Sequence, residues 1–309
     1  CVVSELRADP LSPIDAATLW PQLSRLGTEV ITVRSTGHLL VSSGLAATGL
    51  SRLPALPRTA VLGIRRGLRY RGVCVVRELS GRWGWEVVST RLARDKDDET
   101  LTALLAGASR ECAARGARIL FLRYPEGSPH AEALRRSGFT PHTLERLHAL
   151  PADAAKDRPT GFVPATGRDR ASLFRLYCAS VPEHVRRQEA TTAQEWRSVL
   201  DSYECDRGFV ASSDGDPQLW VGAGEHEGRI IAGPSVQSGR LTEALQLLEA
   251  LLGRHGTLVV SEHQPTIQRL AVERGYVPLG TRLFCARRLA LREPLKQTAK
   301  LPAAETVTY

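Results

Sequence analysis

The chain has 309 residues, 42% of them hydrophobic and 24% charged, which suits a globular protein with room for two domains. No run approaches the roughly 20 apolar residues of a membrane helix, and the opening CVVSELRADP lacks the basic, apolar and small-residue order of a secretory signal. The net charge of +8 comes mostly from arginine, densest at Arg65, Arg66, Arg69 and Arg71. No nucleic-acid module surrounds that cluster, so it reads first as a solvated hairpin and second as an anion surface. The expectation is a cytoplasmic protein without a membrane or DNA partner. Its oligomeric state stays open, and so does whether residues 1–3 belong to the native chain. The six cysteines, Cys1, Cys74, Cys112, Cys178, Cys205 and Cys285, form no CxxC pair. No metal site is expected from them.

In chain order, PIDAATLWPQLSRLG (13–27) is a helix candidate. TAVLGI (59–64), GVCVVREL (72–79) and WEVVST (85–90) read as strands. TLTALLAGASRECAARG (100–116) places Leu101, Leu104, Leu105, Ala108 and Cys112 on one helical face, with Asp97 or Asp98 to cap it and Gly116 to end it. RILFLRY (118–124) is a buried strand, HAEALRRSG (130–138) a short helix and LERLHAL (144–150) a last strand.

The order then repeats. Helices at 167–181 and 193–201 precede strands GFVASS (208–213), LWVGAGE (219–225) and GRIIAG (228–233). A long helix (241–256), a buried strand TLVVSE (257–262), a short helix (265–275) and a last strand (281–289) follow. Aligned on Gly138 and Gly275, SGFTPHTLERL and RGYVPLGTRLF share a following aromatic and a proline two positions later. The expected domains are therefore 1–157 and 158–292, joined near PADAAKDRPTGFVP (151–164), with 293–309 as a disordered tail.

This doubled order resembles the GNAT (GCN5-related N-acetyltransferase) acyltransferase superfamily, most specifically in ALRRSGFTPHTLERL (133–147) and QRLAVERGYVPLGTRL (268–283). The resemblance implies an α/β fold of two tandem GNAT-like lobes, each a mixed, mostly antiparallel sheet flanked by helices. It implies a split between the fourth and fifth strands of each lobe that takes the pantetheine arm of acetyl-CoA or another acyl-CoA. The pyrophosphate would sit on the following helix N-terminus, and a small-molecule amine would be the acceptor.

The family's glycine-rich pyrophosphate loop is absent from both halves. In the first, RLARDKDDE (91–99) puts Asp95, Asp97, Asp98 and Glu99 where an anion would sit, so no pyrophosphate is expected there. In the second, IIAGPSVQSGRLTEAL (230–245) has small residues, an arginine and no acid before Glu243. The expected donor-binding residues are Ile231, Ala232, Gly233, Ser235, Ser238, Gly239 and Arg240, with an ordinary capped turn as the other reading. The tyrosine the family places before its "GF" is missing from both short helices. Glu86, Glu225 and Glu227 are the candidate catalytic carboxylates; Glu86 is flanked by Trp85 and Val87, which would raise its pKa near apolar walls, with a solvent-facing place on the strand's polar face as the other reading. His130, His142, His148 and His263 are scattered and spell no triad. The segments 35–54 and 180–193 are candidate acceptor walls, the second through Glu183, His184, Arg186 and Arg187.

Three functions remain open on the sequence. One is an acyl-CoA-dependent N-acyltransferase with at most one active lobe. Another is a catalytically inactive fold that binds a ligand or protein. The last is a transferase of the Fem type, using charged tRNA, although the helical arm typical of that family has no room here.

Overall fold

The computed structural model describes residues 6–12, 15, 18–32, 58–81, 83–213 and 215–289. Parts of the 13–27 helix candidate, the 35–54 wall and the 293–309 tail lie outside the described residues. No helix among the described residues is long and apolar enough to cross a membrane.

The first repeat comprises β1 (Asp9–Pro10), β2 (Thr28–Thr32), β3 (Thr59–Arg66), β4 (Arg69–Glu78), β5 (Gly84–Leu92), α1 (Asp98–Ala114), β6 (Ile119–Pro125), α2 (Ala131–Arg136) and β7 (Thr140–Ala149). The second comprises β8 (Val163–Pro164), α3 (Arg170–Ser180), α4 (Glu183–Glu189), α5 (Ala193–Ser202), β9 (Arg207–Ser213), β10 (Asp216–Ala223), β11 (Glu227–Ala232), α6 (Ser238–Leu252), β12 (Thr257–Ser261), α7 (Pro265–Glu273) and β13 (Val277–Arg288). The long helices α1 and α6 hold the same place, between the third and fourth main strands of their repeats. Trp20–Arg25, within the first helix candidate, is a short 3-10 turn with Pro21 in its first turn.

The strands form one sheet in the order β1-β3-β4-β5-β6-β13-β7-β12-β11-β10-β9-β8, with β2 added beside β5. Two pairings are parallel, β5 with β6 and β11 with β12. The last strands are exchanged. β13 of the second repeat pairs with β6 of the first, and β7 of the first pairs with β12 of the second. The two sheets expected from the sequence are thus continuous with each other.

Exchange brings chemically opposite residues together. Glu145 and Arg282 stand seven residues after Gly138 and Gly275, so they are equivalent positions of the two repeats, and they face each other across β7 and β13. Arg282 Nε donates to Glu145 at 2.6 Å. A row of buried charge extends from this pair in both directions. Arg123 bridges Glu145 (3.1 Å) and Glu86 (2.6 Å), and Arg77 takes the other oxygen of Glu86 (3.0 Å). Arg229 lies 2.8 Å from Glu145, and Arg282 also holds Glu227 at 2.7 Å. Arg123 lies over the Phe284 ring and Arg229 over Tyr203, so the guanidinium faces are covered as well.

The row also docks helix α5 onto the first repeat. Arg77 and Arg123 donate to the carbonyls of Asp201 and Ser202, the orphan acceptors at the C-terminus of α5. Ser80 N–H donates to Asp201 at 2.7 Å. The contact is close enough that a Cβ added to Gly84 would stand 2.6 Å from Ser198 Cβ, so β5 needs glycine there. Apolar cores lie on both faces. α1 and α6 bury Leu101, Leu104, Leu105 and Leu241, Leu245, Leu248, each worth about 1.5–3 kcal/mol. α3–α5 bury Leu173, Tyr177, Trp196 and Val199 against Phe121, Ile231 and Phe284.

Burial pushes the Glu145 carboxyl up, but Arg123, Arg229 and Arg282 together hold it well below the usual carboxylate range. Removing it leaves Arg229 without a carboxylate among the described residues and takes one of two from each of Arg123 and Arg282. Glu145→Ala is expected to cost about 3–5 kcal/mol in urea unfolding at neutral pH. Because the folded pKa is depressed, the contribution is fully present above the unfolded value of roughly 4.3. It is lost as pH falls through the lower folded value. A cost that is below about 1 kcal/mol, or unchanged down to pH 2, would show that the row does not hold the repeats together.

Candidate functional site

In each repeat the two parallel strands separate. β5 pairs with β6 only from Gly84 to Val87, and β11 pairs with β12 only at Glu227 and Gly228. Beyond those residues the two splits differ.

The first split is filled by the chain itself. β2 lies antiparallel to the separated part of β5, with Thr28 opposite Leu92 and Thr32 opposite Ser89. Val30 and Ile31 are buried in the core of that repeat. The helix start beyond the split is also occupied. Asp97 accepts from Thr100 N–H (3.1 Å) and Thr100 Oγ1 (2.8 Å) and pairs with Arg71 at 2.9 Å. Burial pushes Asp97 up, but those bonds hold it below its ordinary value and keep it ionised. Asp98, in the first turn, lies 2.8 Å from His130 Nδ1. The strand edge of the first split is therefore taken, and so is the Thr100 amide at the helix start beyond it.

The second split has no strand in it among the described residues. The register with β10 turns the peptide groups of Ile230 and Ala232 toward the gap. The Ile230 carbonyl accepts from Gln264 Nε2 at 2.8 Å, so the loop after β12 reaches across the mouth. Ile231 packs under α3–α5, Ala232 is half-buried and Gly233 is buried. Ser235, Ser238 and Gly239 are exposed. Among the described residues no side chain caps the N-terminus of α6, and its first turn holds no acid. A cavity of about 440 Å³ adjoins it, lined by Ser212, Gln218, Ser235, Gln237 and Arg240. Arg240 pairs with Glu243 one turn along and lies 5.4 Å from the Phe162 ring centre. The free amides, hydroxyls and guanidinium can hold a phosphate.

The candidate carboxylates fall elsewhere. Glu86 is fully buried between Arg77 and Arg123, inside the ionic row. Burial pushes its carboxyl up while the two arginines oppose that shift. Glu227 is held by both arms of Arg282 at 2.8 and 2.7 Å. Burial raises its pKa, Arg282 lowers it more, and the group stays ionised. Glu225 projects into solvent beside His226. Burial pushes the Cys74, Cys205 and Cys285 thiols up to about 12, which leaves them protonated and poorly nucleophilic.

The α3–α4 side of the second repeat holds a cluster not singled out from the sequence. Glu189 is buried at the end of α4 and accepts from Tyr177 OH at 2.9 Å. Its other oxygen lies 3.1 Å from His142 Nε2. Burial, then Glu189, pushes the Tyr177 phenol far up, so it remains a donor. His263 comes two residues after β12, where Glu262 N–H donates to the Leu144 carbonyl at 2.8 Å, so the chain at His263 runs beside the His142 end of β7. The segment 180–193, a candidate acceptor wall, thus contributes Glu189 inward. Glu183 and Arg187 pair with each other at the surface, and Arg186 donates to the Val181 carbonyl. The missed signal was the spacing of Val185 and Glu189, one helical turn apart on a buried face.

No protein-family model matches the sequence, and neither does any curated protein. Solved structures do match. A GCN5-related N-acetyltransferase from Sphaerobacter thermophilus is 16% identical with a TM-score of 0.51, and the match covers 93% of this chain and 97% of that one. A Pyrococcus horikoshii protein with a provisional acetyltransferase designation is 11% identical with a TM-score of 0.51, covering 95% of this chain and 92% of that one. The chain has the GNAT fold. At these identities the likeness speaks for the GNAT architecture alone, and the difference between the two splits rests on this chain's own contacts.

If β2 is a true part of the first repeat's core, Ile31→Ala is expected to cost about 2–5 kcal/mol in denaturant unfolding. A strand merely resting in an open cleft would lose less than about 1 kcal/mol.

Proposed function

We propose that the protein is an acyl-CoA-dependent N-acyltransferase. Its repeats, read as 1–157 and 158–292, divide the work, and only the second binds the donor. The donor is acetyl-CoA or a related acyl-CoA, and the acceptor is a small-molecule amine. The reaction suits the cytoplasm, where acyl-CoA is available.

One observation carries this reading. β2 fills the first split and Asp97 closes its helix, whereas the second split is open and leads to an uncapped helix start beside Arg240. The pantetheine arm would run along Ile231 and Ala232, with its pyrophosphate over Gly233, Ser235, Ser238, Gly239 and Arg240. The helix dipole would add about 0.3–1 kcal/mol. A charge-assisted contact from Arg240 would add about 1.5–3 kcal/mol. Arg240 would exchange Glu243 for the phosphate, and Gln264 would release the Ile230 carbonyl.

Those two internal contacts also favour a second reading. A split whose edge carbonyl and arginine are already satisfied suits a catalytically inactive fold that binds a ligand or partner without chemistry.

Calorimetry with CoA separates the two readings. Wild type is expected to bind one CoA per chain. Arg240→Glu should weaken binding at least about tenfold, since roughly 1.4 kcal/mol is one decade. Arg94→Glu, in the first repeat, should leave affinity unchanged. Equal affinity of wild type and Arg240→Glu would overturn the placement, and no CoA binding by wild type would favour the inactive reading.

A further inference from the structure

Taking the second repeat as the acyl-transfer site, the next question is which group takes the acceptor's proton. The carboxylates on the strands do not suit the role, since Glu86 and Glu227 are tied to arginines and Glu225 faces solvent. The loop after β12 is better placed. Gln264 reaches Ile230 across the mouth of the split, which sets its neighbour His263 at the same mouth. His263 is half-buried, and among the described residues its Nδ1 has no hydrogen-bond partner. A partly buried ring nitrogen that carries no hydrogen can accept a proton.

We propose that His263 accepts the proton of the acceptor ammonium, and that Glu189, fixed by Tyr177 and His142, is the positioning residue that supports its charge. Glu189 is a buried carboxylate whose hydrogen-bond partners are a phenol and an imidazole, with no lysine or arginine on it among the described residues. It presents negative potential to anything entering from the α4 side, and that favours a primary amine arriving as the ammonium. His142 Nδ1 is a second buried nitrogen without a partner among the described residues, and its ring rests on Phe284 at 4.7 Å.

The protonation states agree. Burial lowers the pKa of His263, so it is neutral near pH 7 and free to accept a proton. Of the groups facing it, Glu189 and Glu262 raise its pKa and His184 and His142 lower it. In the reaction, the ammonium gives one proton to His263, which later passes it to solvent. The amine lone pair forms the C–N bond to the thioester carbonyl carbon, and the C–S bond breaks. The second N–H proton goes to the departing thiolate, which leaves as CoA thiol. General base catalysis of this kind is worth roughly 10²–10⁴-fold in rate.

The test measures CoA-thiol release from acetyl-CoA with spermidine, tyramine, glucosamine and lysine as acceptors, alongside CoA affinity by calorimetry. His263→Asn keeps the size and removes the base. It should lower kcat/KM at pH 7 by about 10²-fold or more and abolish the His-dependent acidic limb of the pH profile, with CoA affinity within about twofold of wild type. Glu189→Gln removes the charge that raises His263, so the acidic limb should move to lower pH, which a merely structural role would not produce. An unchanged rate and profile in His263→Asn would overturn the assignment. So would a wild type that binds CoA but acetylates none of the four amines. A wild type that binds no CoA would overturn the donor site as well, so the calorimetry tells the two failures apart.

Discussion

The ion pair between Glu145 and Arg282 sits where the two repeats meet, and the architecture depends on it. The residues occupy equivalent positions in the repeats, so an exact duplicate would place two like charges face to face. Like charges opposed across strands repel. Glutamate in one position and arginine in the other make that contact attractive. Arg123, Arg77 and Arg229 extend it to β4, β5 and β11. A buried ionic row is not a cheap source of stability, because every charge in it loses its hydration. Its value is register. Exchanged strands can slide, and a one-residue slip turns every side chain to the wrong face. Here a slip would also leave guanidinium groups buried and unpaired.

The same row gives the helices of the second repeat a second duty. α5 covers part of the first repeat's sheet, and its terminal carbonyls are satisfied by Arg77 and Arg123. The segment before the first main strand of each repeat therefore has two different fates. In the second it forms α3–α5, which wall a cleft. In the first it supplies β2, which closes one. The two halves share an order of elements, while the surfaces beside their splits differ.

Much of this was legible in the sequence, and the gaps have physical reasons. The main strands and long helices follow from continuous apolar runs and helical periodicity, and Gly116 indeed takes the positive φ that ends the first long helix. The closed helix start of the first repeat was readable because an acid three residues before Thr100 is a local capping signal. Strand exchange was not readable, since pairing partners far apart in sequence leave no local trace. TEVIT was too short to separate from its neighbours. Glu86 illustrates the limit best. Its apolar neighbours left burial and a solvent-facing position both open, and the arginines that claim its oxygens come from β4 and β6, distant in sequence. His142 and Glu189 likewise meet only through the exchange of β7 into the second repeat's sheet, which also brings the chain at His263 beside the His142 end of β7.

The contrast between the two splits is the centre of this account. A filled cleft and an open one on the same scaffold imply different energies of entry. A pantetheine arm entering the first repeat would have to expel β2 and bury its phosphates against Asp97 and Asp98. In the second it would meet free amides and an arginine. The most direct measurement is a crystal structure of the full chain with acetyl-CoA. The account predicts one molecule per chain, lying between β11 and β12, with its pyrophosphate on the α6 N-terminus and β2 still paired to β5. Acetyl-CoA between β5 and β6, with β2 displaced, would contradict it.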